Sequence, residues 1–366
     1  MKKVLSVFGT RPEAVKMVPL LLEMRENPKI ESLVCVTAQH RELLDDVLQP
    51  FGIKPNFDLN IMTAGQTLTE ITARVLHGLA PILQSAKPDV LLVHGDTTTT
   101  FAASLAAFYA KVSVGHVEAG LRSFDKYRPY PEEINRKLTT AIADYHFAPT
   151  EASRDNLLKE SVAPEKIFVT GNTAIDMIKY TVMPEYKFKN PVLDEVDFSK
   201  KIILMTAHRR ENWGAPMENI CRAVQRVTRD FDDASVVWAV HPGKAAHDPP
   251  HEILAGEPDI LLTTPLHIFD MHNLMSRAHL ILTDSGGLQE EAPSFNLPTV
   301  VLRGVTERPE GLAAGTLVLA GTDEDAIYNE TARLLTDSAA YKKMAAAKNP
   351  FGDGHASARI LSALEA

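Results

Sequence analysis

The sequence predicts an α/β protein with two doubly wound parallel-sheet domains. Short apolar, β-branched segments alternate with longer helix-forming segments along the 366-residue chain, a pattern typical of parallel sheets with right-handed crossovers. Prolines and mixed charges interrupt the alternation at residues 183–200, which we interpret as a linker. We therefore predict a first domain over residues 1–182 and a second over residues 201–350. A C-terminal helix at about 351–366 is expected to pack back on the first domain.

The composition argues against several classes of protein. Hydrophobic residues make up 45% and charged residues 23% of the chain, which is ordinary for a globular protein. The formal net charge of −9 is spread along the sequence, so we expect no nucleic-acid partner. No apolar run reaches the length of a membrane span. The only cysteines, Cys35 and Cys221, lie in apolar surroundings and predict buried free thiols in a cytoplasmic protein.

The first half of the chain alternates strands and helices. Predicted strands cover residues 4–8, 33–37, 89–94, 112–117, 145–148 and 167–170. Predicted helices cover residues 14–26, a segment opening at 39–42, residues 68–85, a segment from about 101, and residues 132–143. The turn after the first strand has one glycine, Gly9, in place of a GxGxxG fingerprint. We therefore expect no dinucleotide cofactor, and the scattered histidines predict no metal site.

The second half repeats the pattern. Predicted strands cover residues 201–206, 235–240, 260–263 and 278–283. Predicted helices cover residues 217–229, 288–294, 323–336, 339–346 and 357–366.

Three acidic residues follow strands of the first half. Asp96 and Glu118 fall one or two residues beyond strand ends, and Glu132 opens the helix after the next loop. Because ligands of open parallel sheets bind beyond the carboxyl ends of the strands, these residues predict an acid/base site. The alternative interpretation is structural: Asp96 caps the next helix and Glu132 favours the dipole of its own helix. Glu118 has no such capping role.

A nucleotide site is predicted in the second half. Ser285, Gly286 and Gly287 form the turn between a buried strand and a helix, where backbone N–H groups attract an anion. Glu291 lies one turn into that helix and can accept hydrogen bonds from ribose hydroxyls. Arg308, after the next strand, lies at the same edge of the predicted sheet. The pattern favours a nucleoside diphosphate, the alternative being a capped helix after a strand.

Further cations and histidines lie at predicted strand ends. Arg11 and Lys16 lie at or near the start of the first helix, a favourable position for meeting phosphate. His208 opens a basic cluster after the first strand of the second half, which suits a diphosphate leaving group. His241 ends the next strand. The alternatives are solvated surface cations and, for His241, an ordinary turn.

A series of short motifs runs in order along nearly the whole chain. They are Gly9-Thr-Arg-Pro-Glu13, His94-Gly-Asp-Thr-Thr98, His116-Val-Glu-Ala-Gly-Leu-Arg122, Pro131-Glu-Glu-Ile-Asn-Arg136, Gly171-Asn-Thr173, His208-Arg-Arg-Glu211, Thr283-Asp-Ser-Gly-Gly287, Gln289-Glu-Glu-Ala-Pro293 and Glu307-Arg-Pro-Glu310. The series resembles that of the non-hydrolysing UDP-N-acetylglucosamine 2-epimerases. The resemblance implies two Rossmann-like domains facing a cleft, the glycosyltransferase-B architecture, and a homodimer. It also implies interconversion of UDP-N-acetylglucosamine (UDP-GlcNAc) and UDP-N-acetylmannosamine (UDP-ManNAc) through bound UDP.

The resemblance also implies roles for individual residues. Asp96, Glu118, Glu132 and His208 match the catalytic positions of the family, and Arg11, Lys16, Ser285, Gly286, Gly287, Glu291 and Arg308 match positions that hold UDP. The chain departs from the family at Met271, where an aromatic residue commonly packs near the uracil, and at His241-Pro-Gly243 and Arg303-Gly-Val-Thr306. Some bacterial members bind a second UDP-GlcNAc as an activator through a Gln-His pair and an arginine. Gln39 and His40 fit that pair, but Gly65 stands at the arginine position.

The chemistry of the implied reaction distinguishes it from alternative functions. The C2 proton of the sugar is not next to a carbonyl, so breaking the C1–O bond must precede or accompany its removal, which gives UDP and 2-acetamidoglucal. Inversion at C2 needs two proton-transfer groups, which Asp96, Glu118 and Glu132 can supply. A glycosyltransferase of the same architecture needs one base and an acceptor site. The other alternative hypotheses are a hydrolysing epimerase and a non-catalytic nucleotide-sugar sensor.

Overall fold

The computed structural model describes residues 1–37, 41–61, 63 and 65–366, with all of their side chains except those of residues 41–43. The described chain divides into two units. Unit 1 comprises Met1–Tyr180 and Phe351–Ala366, and unit 2 comprises Thr181–Pro350. Each unit contains one parallel sheet with helices between its strands, so the predicted α/β class with two doubly wound sheets is confirmed.

Unit 1 contains a seven-stranded sheet. Its strands are β1 (Lys2–Phe8), β2 (Ile30–Val36), β3 (Phe57–Asp58), β4 (Val90–His94), β5 (Ser113–Val117), β6 (Tyr145–Ala148) and β7 (Ile167–Val169). Its helices are α1 (Arg11–Glu26), α2 (Arg41–Leu48), α3 (Leu68–Ala86), α4 (Thr98–Tyr109), α5 (Glu132–Ile142), α6 (Glu151–Lys159) and α7 (Thr173–Thr181), whose last residue begins unit 2. The C-terminal helix is numbered last in the chain and is described below.

The strand order of unit 1 fixes where a ligand is expected to bind. The order is β3-β2-β1-β4-β5-β6-β7, and every pair is parallel. The sheet therefore grows in opposite directions from the β1–β4 pair, and the turns after these two strands diverge there. Such a switch point leaves a crevice beyond the carboxyl ends of the strands. The residues that follow β1, β4 and the neighbouring β5 are thus the expected site of unit 1.

Unit 2 contains a six-stranded sheet with the order β10-β9-β8-β11-β12-β13. Its strands are β8 (Lys201–Thr206), β9 (Ala234–Ala239), β10 (Ile260–Thr263), β11 (Leu280–Thr283), β12 (Thr299–Val301) and β13 (Leu317–Leu319). Its helices are α8 (Ala215–Asp230), α9 (Lys244–Ile253), α10 (Ile268–Met275), α11 (Gly286–Glu291), α12 (Pro309–Ala314), α13 (Glu324–Thr336) and α14 (Ser338–Ala345). All strand pairs are parallel, and the switch point lies between β8 and β11.

The C-terminal helix α15 (Ala356–Glu365) packs in unit 1. The buried carboxylate of Asp176 accepts hydrogen bonds from the backbone N–H groups of Ala356 and Ser357 at 3.1 and 2.8 Å. Ile360 and Leu364 on the same helix are fully buried. The start of the helix is therefore held by α7, and its apolar face belongs to the core of unit 1.

The segment predicted as a linker, residues 183–200, lies within unit 2. The buried carboxylate of Asp270 accepts hydrogen bonds from Tyr186 Oη at 2.8 Å and from the backbone N–H groups of Lys189 and Asn190 at 2.9 and 3.0 Å. Leu193, in a short 3-10 helix, is fully buried in the core of unit 2. The prolines and charges that predict a linker are equally compatible with an irregular segment fastened to a domain by its backbone.

Two composition-based expectations have structural counterparts. Cys35 and Cys221 are buried and free, and burial raises the pKa of each thiol to about 12, which makes both unreactive. Every helix in the described part of the chain is too short or too polar to cross a bilayer.

Candidate functional site

The turn after β1 is tied to the turn after β4 through Glu13. Its carboxylate accepts hydrogen bonds from the backbone N–H groups of Gly9 and Thr10 at 3.0 and 2.8 Å and from Thr97 Oγ1 at 2.8 Å. Burial raises the pKa of Glu13, although these hydrogen bonds oppose the shift. The result is a fixed junction at the switch point of unit 1, with Arg11 at the first position of α1.

Glu118 lies at the centre of a polar cluster beyond β5. Its Oε2 atom pairs with Lys16 Nζ, accepts a hydrogen bond from Asn172 Nδ2 at 3.1 Å, and lies 3.8 Å from His94 Nε2. Burial lowers the pKa of His94 to about 4, so this imidazole is neutral near pH 7. A carboxylate that pairs with a cation, accepts from an amide and lies beside a neutral ring is a candidate for proton transfer.

The backbone of Glu118 is in the left-handed region, with φ at 65°. A non-glycine residue pays roughly 1–2 kcal/mol for this conformation, and such strain concentrates at functional sites. The neighbouring turn residue Gly95 has φ at 68°, and a Cβ atom there would lie 3.8 Å from Glu118 Oε1. Because Gly95 N donates to Val117 O at 2.9 Å, the two turns are bound to each other at the sheet edge.

Asp96 is held by α5 rather than serving as a helix cap. Arg136 donates to Asp96 Oδ2 from Nε at 2.9 Å and from Nη2 at 2.6 Å, and Asn135 Nδ2 donates to the Asp96 carbonyl at 2.9 Å. The side chain that caps α4 is Thr97, which accepts from Thr100 N at 3.2 Å. The capping interpretation of Asp96 is therefore wrong.

Glu132 is the first residue of α5, so its position is also compatible with the dipole interpretation. Its Oε2 atom is buried and has no hydrogen-bond partner among the described residues. The adjacent Glu133, by contrast, has both of its oxygens occupied, because it accepts from the backbone N–H groups of Ser123 and Phe124 at 2.9 and 3.2 Å and pairs with Arg136 Nη1 at 3.3 Å. Of these two acids, Glu132 is the one with acceptor capacity left for a ligand.

Unit 2 has a pocket at its own switch point, with a cavity volume of about 180 Å³. It is lined by Thr206, His208, Ala239, His241, Pro265, Leu266, Met271, Ser285 and Leu288. The lining includes four residues predicted as site residues: His208, His241, Met271 and Ser285. One part of the wall is apolar and the other carries two imidazoles whose ring centroids are 5.9 Å apart, an arrangement suited to a heterocyclic base beside polar groups.

His208 is fixed by Asp284, a buried residue directly after β11. The Oδ2 atom of Asp284 accepts from the backbone N–H groups of His208 and Arg209 at 2.7 and 2.8 Å and from Asn212 Nδ2 at 2.9 Å. Its Oδ1 atom lies 3.0 Å from His208 Nδ1. Burial opposes ionisation of Asp284, but His208 and these N–H donors bring its pKa below the ordinary value. Asp284 was not among the predicted site residues, although its place directly after a buried strand is a usable signal.

Two arginines lie against the Ser285–Gly287 turn. A Cβ atom at Gly286 would lie 3.3 Å from Arg308 Nη2 and 3.9 Å from Arg209 Nη2. Arg308 Nε also pairs with Glu290, while Arg209 Nε is buried without a hydrogen-bond partner among the described residues. Helix α11 has only six residues, so a bound anion would depend chiefly on these guanidinium groups rather than on the helix dipole. Arg209 is a second residue that the site predictions left out.

Glu291 belongs to a buried hydrogen-bond chain. Its Oε2 atom lies 3.3 Å from His272 Nε2, and His272 Nδ1 lies 2.6 Å from Thr181 Oγ1. His272 is 1% exposed, so a buried ring fixes the orientation of the Glu291 carboxylate.

The remaining predicted positions have simpler outcomes. Gln39 and His40 lie outside the described residues. Gly65 has φ at 70°, and a Cβ atom there would meet no atom of the described residues within 4 Å. Within the described ranges, His, Cys, Asp and Glu side chains do not gather in groups of three that could hold a metal ion.

Comparison with known proteins identifies the family. The family model for UDP-N-acetylglucosamine 2-epimerase matches residues 22–365. The UDP-N-acetylglucosamine 2-epimerase of Bacillus subtilis is 56% identical over 362 residues, which cover 99% of this chain and 94% of that protein. The crystal structure of a UDP-N-acetylglucosamine 2-epimerase homologue from Listeria monocytogenes has a TM-score of 0.94 and 49% identity, covering 100% of this chain and 96% of that chain. The Neisseria meningitidis UDP-GlcNAc 2-epimerase, solved with bound UDP-GlcNAc, has a TM-score of 0.88 and 45% identity, with 99% of each chain covered. A match of this extent and identity, on a structure with carboxylates at one switch point and an arginine-bordered pocket at the other, shows that the chain belongs to the UDP-N-acetylglucosamine 2-epimerase family.

Proposed function

We propose that the protein interconverts UDP-GlcNAc and UDP-ManNAc by eliminating UDP and adding it back. The observation that carries this proposal is the group of carboxylates at the switch point of unit 1. Asp96 and Glu118 follow the adjacent strands β4 and β5, and Glu132 keeps a buried carboxylate oxygen without a partner among the described residues. The complex of the Neisseria relative with UDP-GlcNAc supports the choice of substrate.

The UDP part has a chemically suitable place in unit 2. Leu266 and Met271 offer apolar contact to the uracil, and Glu291 offers acceptors to the ribose hydroxyls. Arg209 and Arg308 flank the turn that would meet the diphosphate, where charge-assisted hydrogen bonds to phosphate are strong. By the family resemblance, Arg11 and Lys16 also match positions that hold UDP.

Elimination proceeds by breaking two bonds of the sugar. A base removes the C2 proton, the electrons of that C–H bond form the C1–C2 double bond, and UDP leaves with the C1–O electron pair. The products are UDP and 2-acetamidoglucal. Re-addition delivers a proton to the opposite face of C2, and a phosphate oxygen of UDP bonds to C1. Because the two faces of C2 need separate groups, at least two of Asp96, Glu118 and Glu132 take part.

Solvent exchange tests this mechanism. In deuterium oxide, UDP-GlcNAc should become UDP-ManNAc that carries deuterium at C2, as followed by proton NMR. Glu118→Gln and Asp96→Asn should each lower turnover by roughly 10²-fold or more, since general acid–base groups contribute about 10²–10⁴. Glu23→Gln is the matched control, because Glu23 is an acid of unit 1 that pairs with Lys179 outside the site.

The same NMR time course separates the rival functions. Free N-acetylmannosamine with UDP would indicate a hydrolysing epimerase, and UDP-GlcNAc that stays unchanged without an acceptor sugar would indicate a glycosyltransferase or a sensor. UDP-ManNAc that keeps its original C2 hydrogen would contradict the elimination mechanism.

Activation by a second UDP-GlcNAc is not expected to be strict. Gly65 stands where activated relatives have an arginine, and its positive φ disfavours any larger side chain. UDP-ManNAc alone should therefore be converted without a lag. A lag in the reverse reaction that trace UDP-GlcNAc abolishes would contradict this expectation.

A further inference from the structure

We propose that Asp284 is a positioning residue for His208, holding the imidazole with its proton on Nδ1 so that Nε2 is presented to the departing diphosphate. The inference deepens the proposed function and rests on it for the identity of the leaving group. Asp284 touches no substrate in this role, because it acts only through the histidine ring.

The geometry divides the two oxygens of Asp284 between different tasks. Oδ2 is fully used by N–H donors, since it accepts from the backbone of His208 and Arg209 and from the side chain of Asn212 at 2.7 to 2.9 Å. Oδ1 is left for the imidazole, 3.0 Å from His208 Nδ1. Oδ1 is buried and has no other hydrogen-bond partner among the described residues, so a proton on the nearby Nδ1 is what would satisfy it.

This arrangement determines what the other ring nitrogen can do. His208 lines the pocket at the switch point of unit 2, and Nδ1 is directed to Asp284, so Nε2 is the nitrogen left for a ligand. As the C1–O bond breaks, negative charge grows on the diphosphate oxygen that leaves. The doubly protonated ring, whose positive charge the carboxylate of Asp284 balances, can then donate its Nε2 proton to that oxygen, which leaves the neutral ring with its proton on Nδ1.

Asp284→Asn provides a sharp test because the three donors at Oδ2 dictate how the amide must sit. Its carbonyl oxygen has to take the Oδ2 position, since an NH₂ group there would face three N–H donors. The NH₂ group then faces His208 Nδ1 and donates to it, which moves the ring proton to Nε2. The variant therefore changes the tautomer while keeping the loop contacts.

The experiment measures the tautomer directly by long-range proton–nitrogen NMR of the full chain labelled with ¹⁵N-histidine. The His208 signals are assigned by their loss in His208→Gln. At a pH of about 8.5, some two units above the ordinary histidine pKa of about 6.5, the unmodified protein should show Nδ1–H. Asp284→Asn should show Nε2–H. Asn212→Ala removes one donor to Oδ2 and a hydrogen bond to the Leu302 carbonyl but leaves Oδ1 facing the ring, so it should retain Nδ1–H.

Kinetics separate positioning from binding. Asp284→Asn should lower kcat by at least about tenfold, as expected for a histidine in the wrong tautomer. Its KM and its Kd for UDP should stay within about threefold, because a neutral Nε2–H still donates to the diphosphate. Asn212→Ala should keep kcat within about threefold of the unmodified protein.

Each outcome decides the inference. An unmodified protein with Nε2–H at His208 would overturn it without any variant, which keeps the test valid even if Asp284→Asn does not fold. A folded Asp284→Asn protein with undiminished kcat would also overturn it. The predicted tautomers in a protein that makes no UDP-ManNAc would instead reject the proposed function while supporting the pairing of Asp284 with His208.

Discussion

Lys16 and Glu118 form an ion pair although they lie 102 residues apart in the sequence. Their side chains are 16% and 10% exposed, so the pair lies largely out of solvent. The pairing joins two separately predicted roles, because Lys16 matches a UDP-binding position and Glu118 a catalytic one. One ammonium group thus balances a candidate proton-transfer group, and the same residue is predicted from the family resemblance to bind UDP.

The first prediction concerns this ion pair. Lys16→Met keeps the length of the side chain and removes its charge, so both UDP binding and turnover should weaken. We expect kcat/KM to fall by roughly 10²-fold, the typical cost of losing one electrostatic contact to developing charge. Steady-state kinetics measure the change, and circular dichroism checks folding. Lys179→Met is the control, because Lys179 pairs with Glu23 in the same unit and should leave kcat/KM unchanged.

An undiminished kcat/KM in a folded Lys16→Met protein would show that the pair is structural only. A loss confined to thermal stability would lead to the same conclusion, since breaking a largely buried pair costs about 3–5 kcal/mol.

The second prediction concerns the diphosphate. Arg308 lies against Gly286, so Arg308→Ala should remove a charge-assisted contact worth roughly 1.5–3 kcal/mol. The Kd for UDP, measured by calorimetry, should therefore rise by at least about tenfold. Arg333→Ala is the matched control, because Arg333 pairs with Glu330 on the surface helix α13. Equal UDP affinity in the two folded variants would remove Arg308 from the site.

The third prediction concerns the uracil. Met271 lines the pocket at a position where the family resemblance implies an aromatic residue, and stacking of a base on an aromatic ring contributes about 1–3 kcal/mol. Met271→Phe should therefore bind UDP more tightly, by about fivefold or more. Ribose 5-phosphate lacks the base and should bind both proteins alike. A Met271→Phe protein with weaker UDP binding would place the base elsewhere or show that the pocket has no room for the ring.

The site was predictable to the extent that strand ends determine it. In each unit, predicted site residues closely follow buried strands: Asp96 and Glu118 in unit 1, His208 and Ser285 in unit 2. A parallel sheet brings such positions to the same edge of that sheet. Their side-chain partners were not predictable, because Asp284 meets His208 and Lys16 meets Glu118 through long-range packing. The sequence pattern carries no information about which of several polar residues at one edge will touch.

The predicted helices do not include α6, α7, α9, α10 or α12. At α9 local preference opposes the fold, because its interior contains Pro249 and Pro250. Pro250 is buried, so packing against the core compensates for the lost helix hydrogen bonds. Burial of Leu193 in the segment predicted as a linker is likewise a tertiary effect that the sequence pattern does not contain.

The fourth prediction concerns acid stability and uses His146, a buried residue of β6 away from the candidate site. Burial, reinforced by the charge of Lys166, lowers the pKa of His146 to about 4. In the unfolded chain this imidazole binds a proton near pH 6.5, whereas in the folded protein it does so only near pH 4. The contribution of the neutral imidazole to the free energy of unfolding is therefore complete above pH 6.5 and is lost as the pH falls from 6.5 to about 4. Glu13 and Asp176 have raised pKa values and act in the opposite direction, so a comparison of variants is more informative than the pH dependence of the unmodified protein alone.

His146→Gln removes the titration of this imidazole. Its loss of unfolding free energy between pH 7 and pH 5 should be smaller than that of the unmodified protein by on the order of 1–2 kcal/mol. Thermal unfolding at the two pH values measures the difference, and His77→Gln, at an exposed position of α3, controls for the substitution itself. An equal loss of stability in the unmodified protein and in His146→Gln would mean that burial of this imidazole does not contribute to acid sensitivity.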